Sequence, residues 1–106
     1  MNQVVLVGHL ISEPTLTTSS SGKKNTFIIL SVKRPFKNTE GLYESDLIKC
    51  SLWNNIAEKT CEHIKLGDAI GIRGRLQSEK YEDELGNARY STYVVAENIT
   101  FLATKK

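Results

Sequence analysis

Lysines and arginines sit among aromatic side chains through the middle of this sequence. Lys33, Arg34, Phe36 and Lys37 fall within five positions. Lys49 precedes Trp53 by four, and Arg73 and Arg75 lead to Tyr81. Cations beside exposed rings suit a single-stranded nucleic acid: ammonium and guanidinium groups neutralise phosphates, and rings stack on bases. Stacking works on any base because every base has a π-face, so such a surface would read little sequence.

Other chemistries find no arrangement to carry them. His9 and His63 belong to no ligand spacing such as HExxH, and there is no GxSxG, phosphate-binding glycine loop or Cys/His cluster. Gly71-Ile72-Arg73-Gly74 falls inside a strand pattern, where glycine permits a bend or a close backbone approach. Glu82, Asp83 and Glu84 are consecutive and read as a solvated turn. The expectation is therefore a protein without catalytic residues, cofactor or metal. Cys50 and Cys61 form no CxxC pair and are expected as free, buried thiols in a reducing cytoplasm. No stretch reaches the ~18 apolar residues that would cross a bilayer. The first three residues carry no basic charge ahead of the apolar run, which argues against a signal peptide.

The positioning elements follow from periodicity. Residues 4–10 form a β-branched run that ends near Pro14 and predict a strand. Residues 18–24, with Gly22, predict a loop, and 26–33 a second strand. Residues 34–44 hold Pro35, Asn38 and Gly41 and predict a long polar hairpin loop. In a third strand, 46–53, side chains alternate, so Ile48, Cys50 and Leu52 share one face. Leu47, Lys49, Ser51 and Trp53 share the other. Asn54 or Asn55 is the expected helix N-cap. Ile56, Ala57, Thr60, Cys61 and Ile64 recur at helical spacing, with Gly67 as a stop. Residues 68–81 predict a fourth strand with Ile70, Ile72, Gly74 and Leu76 on one face and Arg73, Arg75, Gln77, Glu79 and Tyr81 on the other. A turn around Gly86 and a last strand over 89–102 complete the chain. Three strands, one helix and two strands match an all-β, five-stranded OB-fold barrel with its helix between strands 3 and 4, one domain over 1–106.

Patterning leaves plainer readings open. Trp53 ends a strand just before a helix, where a tryptophan also serves as core. Tyr81 also suits a sheet edge. Arg73 and Arg75 share their face with Glu79, which dilutes the basic stripe. The net charge is only +2, so any attraction for a polyanion must come from the distribution of charge.

A family resemblance narrows this. Met1-Asn2-Gln3-Val4-Val5-Leu6-Val7-Gly8 resembles the opening of the bacterial single-stranded DNA-binding protein (SSB) family. The resemblance continues through Glu13-Pro14-Thr15-Leu16, Ser21-Gly22-Lys23, Val32 to Asn38, Trp53, Ala57-Glu58 and Lys65-Leu66-Gly67. It runs on through Gly74-Arg75-Leu76, Tyr81-Glu82-Asp83, Gly86, Tyr90 and Val94-Val95-Ala96. It implies an OB fold, a homotetramer, and wrapping of single-stranded DNA in replication, repair, recombination or DNA uptake. By position, Phe36, Trp53 and Tyr81 match the family's stacking aromatics.

Three departures accompany the match. Leu47 stands where the family usually has an aromatic, and His9 and Thr17 where it commonly has arginine. The sequence also stops at Lys105-Lys106, where replicative members continue to an acidic tail that recruits other proteins. The expectation is an accessory member that recruits no partners through such a tail. Two rival readings remain at this point: a dimeric primosome-type OB protein that assists helicase loading, and an OB module that has lost DNA binding. Leu47, His9 and the low net charge lend the second rival some support.

Overall fold

Alternation along each strand sorts the apolar side chains to one side, and closing the sheet turns that side into a core. The computed structural model describes residues 1–103. Lys105 and Lys106, on which the tail expectation rests, lie outside the described residues. The elements run β1 (Val4–Leu10), β2 (Thr17–Thr18), β3 (Lys24–Lys37), β4 (Tyr43–Trp53), α1 (Asn54–His63), β5 (Ala69–Glu82) and β6 (Ala88–Ala103). The order around the sheet is β1-β5-β6-β4-β3-β2, and a β1–β3 pairing closes it into a barrel. Apart from the two-residue β2, five strands make the barrel, and α1 lies between the third and fourth of them. This is the expected OB architecture.

The pairings are antiparallel except at one seam. There β4 and β6 run parallel, with Cys50 opposite Val94 and Ser51 opposite Val95. Leu10, Ile28, Leu30, Cys50, Leu52, Ile70, Ile72, Val94 and Ala96 fill the interior, and α1 adds Ala57 across it. Glycine is required where strands cross closely: a Cβ on Gly74 would be driven into the Val95 carbonyl, and one on Gly8 into that of Ser31. Gly71 has ordinary space around it, so of the two glycines in β5 only Gly74 marks a close approach. Beside Gly74 the β5–β6 register slips, so that Arg73 opposes Asn98 while Gly74 opposes Ala96. The slip leaves Glu97 as an extra residue, a β-bulge that bends the sheet there.

Several boundaries differ from expectation. The segment at 34–44 is mostly strand: β3 runs to Lys37 and β4 starts at Tyr43, which leaves a turn at 38–42. Asn38 makes that turn by accepting the Glu40 and Leu42 amides on Oδ1, at 2.9 and 3.0 Å. Pro35 is tolerated because the ladder is irregular between Lys33 and Lys37, where no regular bond needs its missing N–H. Thr17 and Thr18 pair with Asn25 and Lys24, which adds a short strand at the edge of the region expected as loop. The helix N-cap is Trp53, with no side-chain cap, because β4 runs directly into α1. Asn54 makes the change of direction in the left-handed region, φ 54°, which asparagine tolerates better than most residues. The helix ends at His63, and Gly67, expected as its stop, turns the following loop at φ 90°. Cys50 is buried as expected, but Cys61 is only half-buried, because the helix rides on the barrel instead of inside it. Among the described residues no helix is long and apolar enough to cross a membrane.

Candidate nucleic-acid interface

Parity on β4 places Trp53, Ser51, Lys49 and Leu47 on the outer surface of the barrel. Trp53 keeps 40% of its surface exposed, so it is not a core residue. It borders an open depression of about 380 Å³ together with Lys23, Asn54, Arg75, Gln77, Glu79, Tyr93 and Val95. The sequence separates Trp53 from Arg75 by an entire helix, and the β4–β6–β5 order brings both to this depression.

Its floor is hydrogen-bonded. Gln77 donates to the Tyr93 hydroxyl at 2.9 Å, and that hydroxyl donates to Glu79 at 2.8 Å. The bond to Glu79 raises the Tyr93 phenol above its ordinary pKa. Arg75 donates to Gln77 and pairs with Glu97, the bulge residue, at 3.3 Å. Alongside, the Lys49 ammonium sits 4.2 Å from the centre of the Phe27 ring, and Phe27 meets Tyr93 edge-on at 6.1 Å.

Two hairpins extend the surface. On the β3–β4 arm, Phe36 is 68% exposed and lies in a small hollow with Arg34, Asn38 and Glu44. Lys33 and Lys37 both approach the Tyr43 ring, at 4.2 and 5.8 Å. Arg34 is held differently. Its guanidinium forks onto Asp46 through Nε and Nη2 and reaches Glu44 through Nη1 at 2.7 Å. Hydrogen bonding to Asp46 raises the Arg34 pKa, and the same contact lowers that of Asp46. On the β5–β6 arm, Tyr81 is half-exposed and faces outward like Arg75, six residues or about 20 Å further along the strand.

The sequence-predicted residues thus divide. Trp53 and Arg75 share the depression, and Lys49 lies beside it. Lys33, Arg34, Phe36 and Lys37 share one arm, and Tyr81 stands on the other. Arg73 is apart: past the bulge, it borders a second depression with Val5, Val7, Asn98, Thr100 and Leu102. Reasoning from sequence overlooked Phe27, Tyr43, Tyr93 and Lys23. Phe27 was legible, because it has the opposite parity to Ile28 and Leu30 and must face outward. Tyr93 was not, since its place beside Phe27 depends on the parallel β4–β6 seam.

Over residues 1–102 the chain matches the model of the single-strand binding protein family. It belongs to that family. It is 41% identical over 106 residues to single-stranded DNA-binding protein 3 of Listeria innocua, which covers all of this chain and 66% of the relative. It is 39% identical over 104 residues to single-stranded DNA-binding protein B of Bacillus subtilis, 98% of this chain and 92% of that one. Single-stranded DNA-binding protein 1 of Clostridium acetobutylicum is 36% identical over 107 residues, with 97% of its length matched. The chain therefore spans just under two thirds of the Listeria relative and nearly all of the other two. In this single-strand binding family member, the outward Leu47 is 64% exposed and leaves an aliphatic side chain on the surface that carries Lys49 and Trp53.

Proposed function

We propose that this chain binds single-stranded DNA without sequence preference, as a coat and not as an enzyme, in the cytoplasm. One observation carries the reading: a single open outer face presents Trp53 and Phe27, the latter braced by the buried Tyr93, together with Lys23, Lys49 and Arg75. Rings there take bases, and the cations take phosphates. Phe36 with Lys33 and Lys37 extends the path along one arm, and Tyr81 along the other. Membership of the single-strand binding protein family and the names of the relatives support the same substrate. Replication, recombination and DNA uptake are the settings in which such a coat serves.

The proposal includes a homotetramer. The edge of β1 facing β3 pairs only at His9 and Leu10, so its first half has no second strand partner among the described residues. Next to that edge Val5 and Val7 are exposed. A free edge beside an apolar surface favours pairing with a second copy. Light scattering at micromolar concentration tests this: a monomer would refute assembly altogether, and a dimer would refute the tetramer.

Trp53 tests the DNA path. As the sole tryptophan it dominates the fluorescence, and oligothymidylate should quench it. Trp53→Ala should weaken binding by ~1–3 kcal/mol for a lost base stack. A core tryptophan would instead cost ~3–5 kcal/mol of folding stability. Thermal unfolding and affinity measured on the same variant separate the two. Loss of stability with unchanged affinity would remove Trp53 from the path.

A further inference from the structure

Phe27 points out of the barrel on β3, directly opposite Ser51 of β4. Parity frees it from the core, and the residue is 44% exposed. Ser51 also points outward yet is buried, so its neighbours cover it. Tyr93 braces the Phe27 ring edge-on, at an interplanar angle of 80°. The ring is therefore held in one orientation by a neighbour that is itself hydrogen-bonded to Gln77 and Glu79. Over it stands the Lys49 ammonium, 4.2 Å from the centroid.

We propose that Phe27 is a further base-stacking platform for single-stranded DNA, and that Lys49 is its removable cover. This rests on the proposed DNA-binding function. An exposed cation–π contact is weaker than a base–aromatic stack, so an arriving base displaces the ammonium. The freed Lys49 then meets the phosphate of the same strand. The spacing suits this: Asn25 opposes Trp53 and Phe27 opposes Ser51, so Phe27 lies one outward step, about 7 Å, from the Trp53 row. Trp53 and Phe27 would take neighbouring bases, on a face where Leu47 offers no ring.

The test compares Phe27→Leu, which keeps an apolar side chain, with Phe27→Tyr, which keeps the ring. Both are titrated with a short oligothymidylate and melted. Phe27→Leu should bind about tenfold more weakly and Phe27→Tyr within about twofold of the parent, at similar melting temperatures. On the unaltered protein, an oligonucleotide containing 5-iodouracil should photocrosslink to the peptide that carries Phe27. That measurement decides the matter if Phe27→Leu does not fold. Parent-like binding by a folded Phe27→Leu, or crosslinks at Trp53 with none at Phe27, overturns the platform while DNA binding stands. No binding of oligothymidylate by the parent protein overturns both.

Discussion

Replacing Asp46 by asparagine should strengthen DNA binding and make it more sensitive to salt. Arg34 looks like a phosphate ligand in the sequence, but the folded chain surrounds it with carboxylates. One positive charge with Glu44 and Asp46 leaves the cluster at −1, so it repels a polyanion. Asp46→Asn brings the cluster to zero and removes the fork that holds Nε and Nη2. Each cation that neutralises a phosphate adds ~0.7 to the slope of log affinity against log salt on a single strand. Lys23, Lys33, Lys37 and Lys49 have no carboxylate partner described, whereas the Arg75 charge on the same face is offset by Glu97, so the parent should show a slope of about 3 on a short oligothymidylate. Asp46→Asn should raise it by ~0.7, an extra loss of about 2.6-fold when salt rises from about 50 to about 200 mM. Arg34→Gln and Arg73→Gln should leave the parent slope unchanged, the first because Asp46 already holds the charge, the second because the bulge turns it away. Fluorescence titrations across salt concentrations read all four proteins, with thermal melting as the control for folding. An unchanged slope in a folded Asp46→Asn would mean that Arg34 lies off the path. A slope that falls in Arg34→Gln would mean that DNA displaces Asp46 unaided.

Gly74→Ala should cost ~1–3 kcal/mol or more in urea unfolding, since the new methyl meets backbone, whereas Gly71→Ala should cost little. Equal costs would argue against the close crossing at Gly74. Burial pushes the Cys50 thiol up to about 12, and Cys61 is raised mainly by burial but stays half-exposed. A thiol reagent should therefore label one cysteine per native chain, Cys61, faster as pH rises because the thiolate is the reactive form. Labelling of Cys50 at the same rate would mean that the core opens readily. Leu47→Phe should tighten oligothymidylate binding by ~1–3 kcal/mol if the strand passes this position, and no gain would route it elsewhere.

The barrel was legible because Ile48, Cys50 and Leu52 alternate with Lys49 and Ser51, and Ile70 and Ile72 with Gly71 and Arg73. Trp53 is outward for the same reason. Pro35 and Asn38 misled at the β3–β4 hairpin: their usual effect as breakers is local, and the register irregularity that tolerates Pro35 is a property of two strands. Arg73 and Arg75 have the same parity, and only the bulge at Glu97 separates them. That bulge arises from how β6 fits over β5, which periodicity along one strand does not record. The pairing of Arg34 with Asp46 is likewise a cross-strand matter, twelve residues apart in sequence.

The parallel seam has a temporal side. Of the described strands β6 is synthesised after all the others, and among them it alone pairs with both β4 and β5. Until residues 88–103 emerge, Ile28, Leu30, Cys50, Ile70 and Ile72 have no completed interior to enter. Local hairpins such as β3–β4 can form early, but closure waits on contacts between distant parts of the chain. Barrels of this kind fold in about milliseconds to seconds, far more slowly than helical bundles. A nascent or truncated chain ending before β6 would therefore display its apolar strands to chaperones, proteases and other unfinished copies of itself.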